Sequence, residues 1–77
     1  MALVRYFAAA EEFAGRAEEH RSEPTLGALR TALVAEHPAL AAILPRCAVL
    51  VAGARAGDDA VLTDDAVIDV LPPFAGG

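Results

Sequence analysis

The 77 residues contain no lysine, and all six cationic side chains are arginine, at positions 5, 16, 21, 30, 46 and 55. A chain of this composition cannot form lysine-linked polymers of itself. Cysteine occurs once, at Cys47, which excludes an intramolecular disulfide framework, and no Cys/His cluster has zinc-ligand spacing. No metal site is therefore expected, and the fold must rest on packing. Tryptophan is absent, aromatics make up 5% of the chain, and the formal net charge is −5 without a basic stripe. That is not the electrostatic footprint of a nucleic-acid binder, and a basic protein partner suits it better. No run approaches the ~18 apolar residues of a membrane span, and Arg5, Glu11 and Glu12 interrupt the place where a signal peptide has its apolar segment. The expectation is a soluble, cytoplasmic protein with no membrane association.

Alanine supplies much of the 56% hydrophobic content, so a small set of Leu, Val, Ile and aromatic side chains has to build the core. The length allows one domain, residues 1–77. "ALVRYF" alternates, with Ala2, Val4 and Tyr6 on one face and Leu3, Arg5 and Phe7 on the other, and reads as a strand. "AAAEEFAG" reads as a short helix ended by Gly15, and "RAEEHRS" as a polar edge strand. "EPTLGALRTALVAEHP" is the main helix, capped by Thr25, carrying Leu26, Leu29, Ala32 and Leu33 at helical spacing and stopped by Pro38. "PALAAILP" adds a helical turn or two closed by Pro45. "CAVLVAG" reads as a buried strand, "ARAGDD" as a turn-rich segment, and "AVIDVLPP" as a last strand with Ile68 and Val70 on one face. The order predicts an α+β fold in two layers, a mixed sheet on one main helix.

The chain finishes in "LPPFAGG", Leu71 to Gly77. Pro72 and Pro73 offer no ladder donors and hold an extended course, so residues 72–77 are expected to protrude as a tail. Gly76 and Gly77 have no β-carbon and can pass through a slot closed to other residues. A terminal carboxylate on Gly77 is ionised at neutral pH. It can attack a nucleotide phosphate, and the resulting acyl adenylate can be displaced by a sulfur nucleophile. No Gly-rich phosphate loop followed by lysine is present, so the ATP-binding machinery belongs to another protein.

Together "VRYFA" (Val4 to Ala8), "TLGALRTAL", "VLVAG" (Val49 to Gly53) and above all "VLPPFAGG" (Val70 to Gly77) resemble the ubiquitin-like, β-grasp sulfur carriers of the MoaD/ThiS family, and within it the small subunits of molybdopterin synthase. The resemblance implies a β-grasp fold and a carrier that is no enzyme by itself. Gly77 would be adenylated by a MoeB-like enzyme using ATP and magnesium, then thiocarboxylated from a sulfur donor protein. The loaded tail would enter a MoaE-like large subunit, in a heterotetramer whose catalytic residues lie on that subunit, and give sulfur to cyclic pyranopterin monophosphate. No cofactor is expected to be bound stably. Ala52 stands where the family often has Asn in "VNG", "DDAVI" where it often has a Gly-containing turn, and Arg55 where members often place an apolar side chain. Carriers for thiamine, cysteine or another thio-metabolite, a protein modifier attached through Gly77, and an interaction module with an unused tail are the alternatives.

The candidate site residues are thus Gly77 and Gly76 for the chemistry, and Phe7, Leu71, Pro72, Pro73, Phe74 and Ala75 for partner binding. Phe7 and Leu71 share a face and can form an apolar patch beside the tail, although Phe7 can equally pack under the short helix. Phe74, within the tail, suits a partner pocket. Cys47 reads as a small buried or strand-edge residue, His20 and His37 as no part of a site, with His37 meeting the last helix carbonyls, and the acidic pairs as solvated faces and turns.

Overall fold

The computed structural model describes residues 1–73. Five strands form one sheet: β1 (Ala2–Tyr6), β2 (Glu18–Arg21), β3 (Ala48–Val51), β4 (Ala54–Arg55) and β5 (Val67–Leu71), in the order β2-β1-β5-β3-β4. β1 and β5 run parallel, and the other pairs are antiparallel. Helices α1 (Ala9–Ala14), α2 (Leu26–Glu36) and α3 (Pro38–Ala41) and a 3-10 turn at Leu44–Arg46 accompany the sheet. This is the mixed, two-layer α+β arrangement expected of a β-grasp fold. No described helix is long and apolar enough to cross a membrane.

Alternation decides which sheet face is covered. Val4, Tyr6, Ile68 and Val70 are buried together with Leu26, Leu29 and Leu33 of α2 and Leu40 of α3. Each large aliphatic side chain sealed in this way contributes about 2 kcal/mol. Thr25 caps α2, its Oγ1 accepting from the Ala28 amide at 3.2 Å. Gly27 serves a close contact rather than a turn: a Cβ there would lie 3.0 Å from the Cβ of Asp58, whose carbonyl accepts from the Gly27 amide at 2.8 Å. The irregular segment before β5 is thereby tied to the first turn of α2.

Several local readings change. Pro38 both ends α2 and opens α3, and Pro45 lies inside the 3-10 turn instead of closing a helix. The segment "CAVLVAG" is half-buried as a strand, with Val49 alone fully buried, because its other face is open. "ARAGDD" hides the two-residue strand β4, paired to β3 through a hairpin in which Ala52 and Gly53 both have positive φ. A two-residue loop with that geometry is the hairpin turn that favours Asn-Gly, so Ala52 carries backbone strain there.

Candidate functional site

β5 is an internal strand, flanked by β1 and β3, and the chain leaves it at Leu71 into Pro72 and Pro73. Pro72 is buried and Pro73 exposed, so the chain first turns outward at the second proline. Phe74, Ala75, Gly76 and Gly77 lie outside the described residues. Beside the exit, the Phe7 amide donates to the Val70 carbonyl at 3.2 Å, continuing the β1–β5 ladder. A tight turn follows, in which Ala10 N–H donates to the Phe7 carbonyl at 3.0 Å and Ala8 takes φ 51°, ψ −125°. That is the first central position of a type II′ turn, normally glycine. It allows α1 to begin three residues after β1 ends, and leaves Phe7 37% exposed instead of under the helix.

The uncovered face of the sheet carries Leu3, Arg5 and Phe7 from the β1 side, Val67, Asp69 and Leu71 from β5, and Ala48 and Leu50 from β3, as register and period two require. At its centre Arg5 clasps Asp69 with two bonds, Nε to Oδ1 at 2.7 Å and Nη2 to Oδ2 at 3.0 Å. The guanidinium also lies 5.6 Å from the centre of the Phe7 ring. The hydrogen bond to Asp69, followed by that carboxylate's charge, raises the Arg5 pKa further and fixes it as a cation. Phe7 and Leu71 thus do share one face, arranged around an ion pair that sequence reading did not place.

The opposite flank is closed by a second arginine. Arg21 on edge strand β2 donates to Glu23 at 3.0 and 2.6 Å, to Glu36 at 2.7 and 2.7 Å and to Glu19 at 3.0 Å. Glu19 also accepts from Tyr6 Oη at 2.7 Å and from His37 Nε2 at 2.9 Å, and the His37 ring stands edge-on to Tyr6. Burial alone would raise the Glu19 pKa, but the bonds from Tyr6, Arg21 and His37 outweigh it and hold the carboxyl below its ordinary value. Arg21 lowers Glu23 and Glu36 likewise, while burial, and then the bond to Glu19, pushes the Tyr6 phenol upward.

These contacts correct two expectations. The His37 ring meets a carboxylate 18 residues away on β2, leaving the backbone amide to meet the helix carbonyl of Leu33, and the Glu19 side chain is 7% exposed rather than solvated. Glu19, Glu36 and His37 come close enough to suggest a metal site. Their cation is already present, since the Arg21 guanidinium occupies the space between the carboxylates. Cys47 is partly buried, its Sγ donates to the Ile43 carbonyl at 3.3 Å, and burial pushes its thiol pKa up, the reverse of an activated nucleophile.

Comparison with known proteins agrees with this geometry. A protein described as a candidate molybdopterin converting factor, subunit 1, from Pyrococcus furiosus superposes with a TM-score of 0.85 at 24% identity, over 95% of this chain and 97% of that one. The solution structure of small archaeal modifier protein 1 from Methanosarcina acetivorans gives 0.86 at 24% identity, over 99% and 95%. The crystal structure of SAMP1 from Haloferax volcanii gives 0.77 at 25% identity, over 99% and 98%. No curated protein sequence matches the chain. The family model described as the ThiS family matches residues 4–77, nearly the whole sequence, and the chain belongs to that family.

Proposed function

We propose that this protein is a sulfur carrier of molybdopterin biosynthesis, with Gly77 as its reactive residue and Gly76 as the narrow approach to it. The observation that carries the reading is the placement of "PPFAGG" at the end of the central strand β5, beside an uncovered sheet face, in a member of the ThiS family. The Gly77 carboxylate attacks the α-phosphorus of ATP on a MoeB-like partner that supplies magnesium, and pyrophosphate leaves. A sulfide-level nucleophile from a sulfur donor protein then attacks the acyl carbon, expels AMP and leaves a thiocarboxylate.

In this reading the carrier contributes no catalytic side chain. Phe7, Leu71, Pro72 and Pro73, with Phe74 and Ala75, guide the tail into a MoaE-like large subunit of a heterotetrameric synthase. There the sulfur passes to cyclic pyranopterin monophosphate, and hydrolysis returns Gly77 as the carboxylate. Similarity to a candidate molybdopterin converting factor subunit favours this acceptor. Similarity to two small archaeal modifier proteins favours a second reading, in which activated Gly77 forms an amide with an amine of another protein.

Intact mass after incubation with the adenylating partner, ATP and a sulfur donor decides between them. The expected product is one oxygen replaced by sulfur, present in the full chain and missing from a chain lacking Gly77. A Cys47→Ala version should still acquire an alkylatable group, which separates the product from oxidation of Met1. Adenylation without sulfur loading would favour the modifier, and neither product with an active partner would leave an interaction module.

A further inference from the structure

Arg5 differs from Arg21 in what it leaves unused. Nε and Nη2 are spent on Asp69, while Nη1 donates to no described residue. The pair is also lopsided: the Arg5 side chain is 45% exposed and that of Asp69 15%. Glu18, opposite Arg5 on β2, acts on it through charge but makes no hydrogen bond to it among the described residues. Of the Arg5–Asp69 pair, the sheet face therefore shows a partner mainly the cation, with the exposed Glu18 on its β2 side.

Towards β5 and β3 the surroundings of the pair are apolar, while β2 borders it with the exposed Glu18 and His20 and β4 sets Arg55 beside Leu50. Leu3 and Val67 lie at one end, Leu50 beside Asp69, and Leu71 and Phe7 at the end where the tail begins. Gly77 lies four residues beyond Pro73, a reach of about 13 Å when extended. An enzyme that acts on Gly77 must therefore seat itself against the mouth of β5, and this face adjoins it. The chain as a whole carries a net charge of −5. Long-range attraction brings in a basic partner, and an exposed cation flanked by apolar side chains of β5 can fix where that partner settles.

We propose that the Arg5–Asp69 pair is a specificity determinant, presenting the free edge of the Arg5 guanidinium to a carboxylate set in an apolar patch of the enzyme that activates the tail. The proposal rests on the carrier reading above. Its partner is an ATP-using adenylating enzyme whose surface is basic overall and acidic at this one point. Asp69 acts as a positioning residue: it holds the fork flat on the sheet and neutralises it, so that docking desolvates a pair rather than a lone charge.

The test exchanges the pair. Arg5→Asp/Asp69→Arg keeps an ion pair at the same register but reverses its polarity, and Arg5→Gln removes the cation without adding a charge. Pyrophosphate release by the adenylating enzyme from the same genome is measured against carrier concentration, alongside urea melts of each variant and a chain lacking Gly77 as the blank. The expected result is a KM raised at least about tenfold in both variants with kcat retained. If the exchange does not fold, Arg5→Gln alone carries the test. Variants that match the wild-type KM, or lose kcat at unchanged KM, overturn the proposal and leave the carrier reading standing. Absence of Gly77-dependent pyrophosphate release from the wild-type chain overturns both.

Discussion

Arg5 and Arg21 both grip carboxylates with a planar fork, yet one side of the molecule is closed by its arginine and the other is left open. Arg21 is 11% exposed and divides its donors among Glu19, Glu23 and Glu36, tying an edge strand to the C-terminal end of α2. Arg5 meets one acid in the middle of an uncovered face and keeps a donor in reserve. The same residue type serves as a structural clasp where it engages several acids at once and stays half-exposed where it is bonded to one. The first should matter more to the isolated fold.

The largest break in that comparison should come from Arg21→Met. Three carboxylates, from the buried Glu19 to the half-exposed Glu36, would lose their cation, and we expect urea melts at pH 7 to report a loss of about 2 kcal/mol, between the values for exposed and fully buried pairs. A wild-type result would mean that the clasp is decorative.

Tyr6→Phe removes one of the donors to Glu19 and should cost about 1 kcal/mol. The folded Tyr6 pKa lies above its ordinary 10.0, so its contribution is present below that pH and fades as the pH rises beyond it. Melts of wild type between pH 9 and 11, ranges set about that reference value, should weaken in a way that the phenylalanine variant does not.

Acid titration sharpens the contrast further. Glu19, Glu23 and Glu36 are held below their ordinary 4.5, so the stability they supply is complete above that pH and lost as the pH falls through their lowered values. The acid limb of wild type should be steep and that of Arg21→Met shallow, and equal limbs would place the acid sensitivity elsewhere. On the open side, Arg5→Gln, whose amide can still donate to Asp69, should lower the urea midpoint much less than Arg21→Met does. An equal drop would make the Arg5 pair a second clasp.

The smallest effect expected is a gain. Ala52→Asn places the residue preferred at positive φ in the β3–β4 turn and should add about 0.5 kcal/mol without touching either arginine.

Much of the fold was legible because its signals are local. The alternation of Ala2, Val4 and Tyr6 marked the buried face of β1, Thr25 announced its helix, and Gly15 ended another in the left-handed conformation. The double proline marked where β5 stops. Strand β4 was hidden because two residues cannot show a period, and the strained Ala52 disguised its turn. The two arginine sites were illegible for another reason. Arg5 and Asp69 are 64 residues apart and Glu19 and His37 18 apart, and no spacing rule connects residues whose meeting depends on strand order. With β1 known to lie beside β5, Arg5 and Asp69 fall opposite each other by register alone.

That pairing has a further consequence for how the protein is made. β1 is made well before β5, with every other element of the sheet between them in the chain, yet they lie side by side in the middle of the sheet. Val4 and Tyr6 cannot be sealed until Ile68 and Val70 arrive, so a nascent chain halted before β5 holds its first strand without its central neighbour. The core therefore closes only when β5 is in place, and a chain halted before it is left open to proteolysis.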